Sequence, residues 1–170
     1  MATLTACNPR IVFLGDAEVK RQRILNGQTW NAGEFLRRDS AGLLQVVATG
    51  TGDASGGGIQ FQALKDQADP GNSTTFANVM KIANDTIFEG NLFDDTTTQS
   101  YPAAAVEGQQ YGIDVQSNVH SVDHDETTTV CFEVTEISPD YNESENTLTD
   151  VYGRVRFKVL QTCIEAAPAA

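Results

Sequence analysis

Apolar and polar residues alternate with a period of two along much of this chain. Ile59, Phe61 and Ala63 alternate with Gln60 and Gln62. Tyr111, Ile113 and Val115 alternate with Gly112 and Asp114, and Val130, Phe132 and Val134 with Cys131, Glu133 and Thr135. The longest such run lies within Val151 to Ile164. There Val155, Phe157 and Val159 are expected to face a core and Arg154, Arg156 and Lys158 the solvent. A period of two is that of a half-buried β-strand. Turn residues separate the runs: Asp39-Ser40-Ala41-Gly42 between Phe35-Leu36 and Leu43–Ala48, Pro70-Gly71-Asn72, and Asn84-Asp85 between Val79–Ala83 and Thr86–Leu92. Arg10–Leu14 offers one short strand, and Asp16 to Leu25 has weak helical spacing. Phe93–Gly108, Ser117–Glu126 and Ser138–Thr149 read as loops. The pattern predicts an all-β fold of eight to ten short strands, a β-barrel or sandwich, with no helix longer than two turns. Residues 1–26 are expected as an extended N-terminal arm, 27–165 as the β domain and 166–170 as a short tail.

Composition supports a globular chain. It has 170 residues, 40% of them apolar, and 14 glycines, enough for one domain with its own core. The net charge of −12 is unevenly placed. Residues 1–85 hold eight basic and eight acidic side chains, whereas residues 86–170 hold three basic and fifteen acidic. Direct nucleic-acid binding is not expected of such a chain. The local exception is the stretch Arg10 to Arg38, with Arg10, Lys20, Arg21, Arg23, Arg37 and Arg38 against Asp16, Glu18 and Glu34. A basic stretch on an acidic body suits docking on an acidic partner surface. No segment has the roughly 18 apolar residues of a membrane span, and Leu4-Thr5-Ala6-Cys7 matches a lipobox only locally.

Candidate chemistry is sparse. Cys7, Cys131 and Cys163 show no CxxC spacing. The latter two sit in apolar runs, as core thiols do, with one bridge between them as an alternative. His120-Ser121-Val122-Asp123-His124-Asp125-Glu126 is the one ligand-like cluster. On a strand its two imidazoles would lie about 13 Å apart, too far to share a metal, so a polar turn is the expectation. Thr49–Gly58 is a glycine-rich loop without the GK[ST] of a phosphate cradle. No serine lies in a GxSxG elbow, and the carboxylate pairs lie in polar loops. The expectation is a non-enzymatic protein with no cofactor. Trp30 suits either an interface anchor or the floor of the barrel, and the second is favoured.

Certain segments resemble a known group. Gln28-Thr29-Trp30-Asn31-Ala32-Gly33-Glu34-Phe35-Leu36, then Ser40-Ala41-Gly42-Leu43-Leu44, is similar to the opening of the tailed-bacteriophage capsid decoration (cement, head-stabilising) proteins. Ala63-Leu64-Lys65-Asp66-Gln67-Ala68-Asp69-Pro70-Gly71-Asn72-Ser73-Thr74 and Asp85-Thr86-Ile87-Phe88-Glu89 are similar to later segments of the same group. The resemblance covers roughly residues 27–164. It implies a small β-barrel or β-tulip-like domain on the outer surface of the phage head, self-associated as a homotrimer and bridging neighbouring major capsid protein subunits. Charge contrast and the apolar strand place the capsid contact on Arg10, Ile11, Val12, Phe13, Lys20, Arg21 and Arg23, with Trp30, Arg37 and Arg38. Two other classes share the all-β acidic character: a carbohydrate- or calcium-binding surface module using Tyr101, Tyr111, Tyr141 and the acidic loops, and a tail or connector protein of the virion.

Overall fold

The computed structural model describes residues 7–93, 106–138 and 153–168. Within them the chain forms eleven strands and one short helix: β1 Arg10–Phe13, β2 Glu18–Arg23, β3 Phe35–Arg38, β4 Leu44–Val46, β5 Phe61–Ala63, β6 Phe76–Lys81, β7 Ile87–Phe93, β8 Gln110–Gln116, β9 Val119–Asp123, β10 Phe132–Ile137, β11 Gly153–Val159 and α1 Gln161–Ile164. The all-β expectation holds. The loops expected at Phe93–Gly108 and Ser138–Thr149, with Tyr101 and Tyr141, fall mostly outside the described residues.

Two sheets share the strands. In the order β7-β11-β10-β8-β9, five of them close into a barrel through the parallel pairing of β7 with β9 (Leu92↔Val122, Phe93↔Asp123). Closure removes the free edges that an open sheet would present. β1 lies antiparallel on the other half of β7. The second sheet runs β2-β6-β5-β3-β4, antiparallel throughout. The chain leaves β1 for the second sheet through 14–17 and returns from β6 to β7 through 82–86. The Asp85 carboxylate accepts from Asp16 N at 2.9 Å, and the Thr86 hydroxyl donates to Leu14 O at 3.1 Å, so the two crossings are tied together.

Alternation on β3 divides the interior. Phe35 points into the barrel core and Leu36 into a second, smaller core with Ile24, Trp30, Leu44, Phe61, Ala63 and Val79. In the barrel core Phe35 meets Phe88 edge-on at 5.2 Å and Phe132 at 5.5 Å, and Phe132 meets Phe157 at 4.7 Å. Such pairs add to simple burial. Val155, Phe157 and Val159 are buried as expected, Trp30 is buried in the smaller core, and Cys131 and Cys163 are buried free thiols. Gly58 marks the seam between the glycine-rich loop and α1. Its φ is +71°, and a Cβ there would lie 1.9 Å from the Cys163 carbonyl oxygen.

Three expectations change. Residues 10–23 are not an arm outside the domain: β1 and β2 are hydrogen-bonded into both sheets, because an extended backbone in contact with protein needs its N–H and C=O groups paired. Asp16–Leu25 carries a strand instead of helical turns. Within Ser117–Glu126 lies β9, which follows β8 through a two-residue turn. Ser117 and Asn118 both have positive φ there (50° and 65°), the geometry of a type I′ hairpin.

Candidate functional site

The basic residues of the N-terminal region separate into two groups. Arg10 belongs to the barrel. Its Nε and Nη2 donate to Oε1 of Glu89 at 2.9 and 2.5 Å, and Glu89 is only 1% exposed. Arg156 (3.6 Å) and Arg154 (4.0 Å) approach the same carboxylate, and the Ser138 hydroxyl donates to it at 2.6 Å. Burial alone would raise the Glu89 pKa. The Ser138 hydroxyl and the Arg10 guanidinium outweigh it and hold the group below the ordinary carboxylate value. Ile11 packs on the barrel core. Arg37 and Arg38 are partly buried: Arg37 donates to Thr51 O, and Arg38 donates to Gln22 and lies over the Phe61 ring. Burial lowers the Arg37 pKa. Arg10, Ile11, Trp30, Arg37 and Arg38 are therefore engaged within the fold.

Val12 (37% exposed) and Phe13 (56%) at the end of β1, and the outward face of β2, remain at the surface. Alternation puts Val19, Arg21 and Arg23 on one face of β2, and pairing sets them opposite Met80, Asn78 and Phe76 of β6. Val19 is 57% exposed and Phe76 44%. The Arg21 guanidinium lies over the Phe76 ring at 4.6 Å and that of Arg23 at 5.7 Å. Lys20 faces the other way, and its Nζ pairs with Glu18 at 2.7 Å. Among the described residues no carboxylate pairs with Arg21 or Arg23. A guanidinium stacked on a ring is held by cation–π attraction while its in-plane N–H donors stay open to a carboxylate. The face thus offers two oriented cations flanked by apolar surface. Val19 and Phe76 were absent from the expected contact. Reading 18–23 as a strand would have put Val19 beside the arginines, but nothing local announces Phe76, which arrives through cross-strand pairing.

The histidine cluster does not assemble. His120 lies wholly buried on β9: its Nδ1 accepts from Phe35 N at 3.1 Å, and its Nε2 stands 3.9 Å from the buried Glu34 carboxylate. Burial lowers its pKa to about 4 and raises that of Glu34. His124 is half-buried beyond the strand end, 3.7 Å from Asp125 and against the Tyr111 ring. Among the described residues no three His, Cys, Asp or Glu side chains gather as a metal site, and Tyr111 is buried. No described helix is long and apolar enough to cross a membrane. Comparison of this chain with protein-family models, with curated proteins and with solved structures finds no match.

Proposed function

We propose that the protein is a non-enzymatic decoration (cement) protein of a tailed-phage head. It docks on the outer surface of the assembled capsid and, as a trimer, bridges neighbouring major capsid protein subunits. The resemblance of residues 27–164 to that group suggests the class. The observation that carries the reading to a surface is the Arg21–Arg23–Phe76 face: two cations that pair with no carboxylate among the described residues, on a chain of net charge −12. Unpaired cations beside exposed apolar side chains suit a protein interface, where arginine and aromatic residues are enriched. Each contact adds modest affinity, and a lattice of bridging copies multiplies it. The acidic remainder of the surface keeps decorated particles apart by repulsion.

The site proposed here is narrower than the N-terminal segment as a whole. Removing residues 1–26 would take β1 and β2 out of the two sheets, so truncation tests folding and not docking. The informative experiment keeps the chain whole. Purified protein is mixed with undecorated capsids, the particles are pelleted, and bound copies are counted per major capsid subunit. Saturation at a fixed ratio close to one copy per subunit is expected. Protein that stays in the supernatant at all concentrations would overturn the reading.

A further inference from the structure

β2 closes one side of its sheet with an open edge. Over Glu18–Gln22 the edge away from β6 makes no backbone hydrogen bond among the described residues, and the chain meets β4 only beyond, at Ile24↔Leu44. Arg21 and Arg23, which pair with no carboxylate among the described residues, stand on this strand two residues apart, so about 6.8 Å separates their Cα atoms. Val19 continues the same face one repeat further.

These features define a guest. A strand laid antiparallel along Glu18–Gln22 would pair its backbone with the open edge and set side chains on the exposed face about 5 Å from Arg21 and Val19, ending short of Arg23, where the chain entering β4 takes the edge. A carboxylate opposite Arg21 would then meet its guanidinium, a second one two residues earlier, at the guest's end, would reach diagonally to that of Arg23 above the same Phe76 ring, and an apolar side chain would meet Val19. We propose that the β2 edge is a docking strand for an extended segment of a partner protein with the pattern acid-x-acid-x-apolar. The identification of that partner as the capsid rests on the decoration reading; the chemistry of the segment does not. A nucleic-acid backbone fits less well. It cannot pair with a strand edge, it gains nothing from Val19, and it must approach a chain of net charge −12.

The test uses the full-length chain and two labelled peptides of one composition. In Thr-Glu-Thr-Glu-Thr-Val-Thr the glutamates share a face. In Thr-Glu-Glu-Thr-Thr-Val-Thr adjacency sends them to opposite faces. Fluorescence anisotropy should show saturable binding of the first, at least about tenfold tighter than the second. Arg21→Glu with Arg23→Glu should remove it, in protein whose circular dichroism and melting match the wild type, and Phe76→Ala should weaken it severalfold. No binding, equal binding of the two peptides, or binding unchanged in the double variant would overturn the proposal. The arginines would then serve only to guard the edge against aggregation. Tighter binding of single-stranded DNA than of either peptide would overturn it as well. Capsid pelleting separates the two readings. A double variant that decorates capsids like wild type overturns the docking strand and leaves decoration standing. A wild type that ignores capsids yet binds the alternating peptide overturns decoration and supports the docking strand.

Discussion

Arg10, Arg154 and Arg156 converge on the buried carboxylate of Glu89, whereas Arg21 and Arg23 lie on an exposed phenylalanine and pair with no carboxylate among the described residues. Both sets project from β-strands and carry the same charge. What differs is the strand beneath them. β7 lies between β1 and β11, so Glu89 is hemmed in and can stay ionised there only with cations around it. β2 ends its sheet, and its arginines keep their solvation while the Phe76 ring orients them. Arginine ties the barrel together in one region and remains available to a partner in the other.

The largest expected effect tests the first half of that contrast. Glu89→Ala leaves three guanidiniums facing one another without their anion. It should cost about 3 kcal/mol, the lower end for a broken buried pair because all three arginines reach solvent. The denaturation midpoint reads it directly. A loss below about 1 kcal/mol would mean that the cluster is surface decoration in its own right.

Acid sharpens the comparison, because the buried groups titrate with different signs. Glu89 has a lowered pKa, so its stabilisation is present above the unfolded carboxyl value and is lost as pH falls through its lower folded value. His120, lowered to about 4, stays neutral in the fold while the unfolded chain takes up its proton near 6.5. Stability should therefore fall as pH drops from about 6.5 to 4, by up to about 1.4 kcal/mol per pH unit. Glu34, beside His120 and raised by burial and Asp66, acts oppositely. The folded state takes up its proton first, which offsets part of the loss. His120→Gln should flatten the slope between pH 6.5 and 4 and leave in place the loss that Glu89 brings as pH falls below the unfolded carboxyl value. Midpoints at half-unit intervals would show this, and an unchanged slope would assign the acid sensitivity elsewhere.

Much of the barrel was legible in the sequence because strands buried on one face alternate strictly. β11 shows it best, with Val155, Phe157 and Val159 against Arg154, Arg156 and Lys158. The hairpin over Asp39–Gly42 was legible as well, since Asp39 accepts from Ala41 N and Leu43 N as a turn-forming aspartate does. β2 was hidden because it is a sheet edge: one of its six residues is aliphatic and four are charged, which leaves no period to read. β9 was hidden by its turn, where Ser117-Asn118 replaces the usual glycine-bearing pair. Nor does local sequence say that the strands flanking Asn84-Asp85 belong to different sheets. That division is set by distant partners, β2 and β5 for β6 and β1, β11 and β9 for β7. The site was half legible for the same reason. Its arginines are neighbours in sequence, while Phe76 and the open edge are products of pairing.

The smallest expected effects come from one conservative exchange made in both regions. Arg10→Lys keeps the charge beside Glu89 but loses the two-donor contact through Nε and Nη2, and should cost about 1 kcal/mol. Arg21→Lys with Arg23→Lys loses only the stacking of two exposed guanidiniums on Phe76. No buried anion is stranded, so the melting midpoint should move by the equivalent of less than about 0.5 kcal/mol. Partner binding should nonetheless weaken, because a flexible ammonium no longer presents the planar fork that two carboxylates would meet. A double lysine variant as destabilised as Arg10→Lys would show that the second sheet relies on these arginines for its own integrity, and the division between structural and available charge would fail.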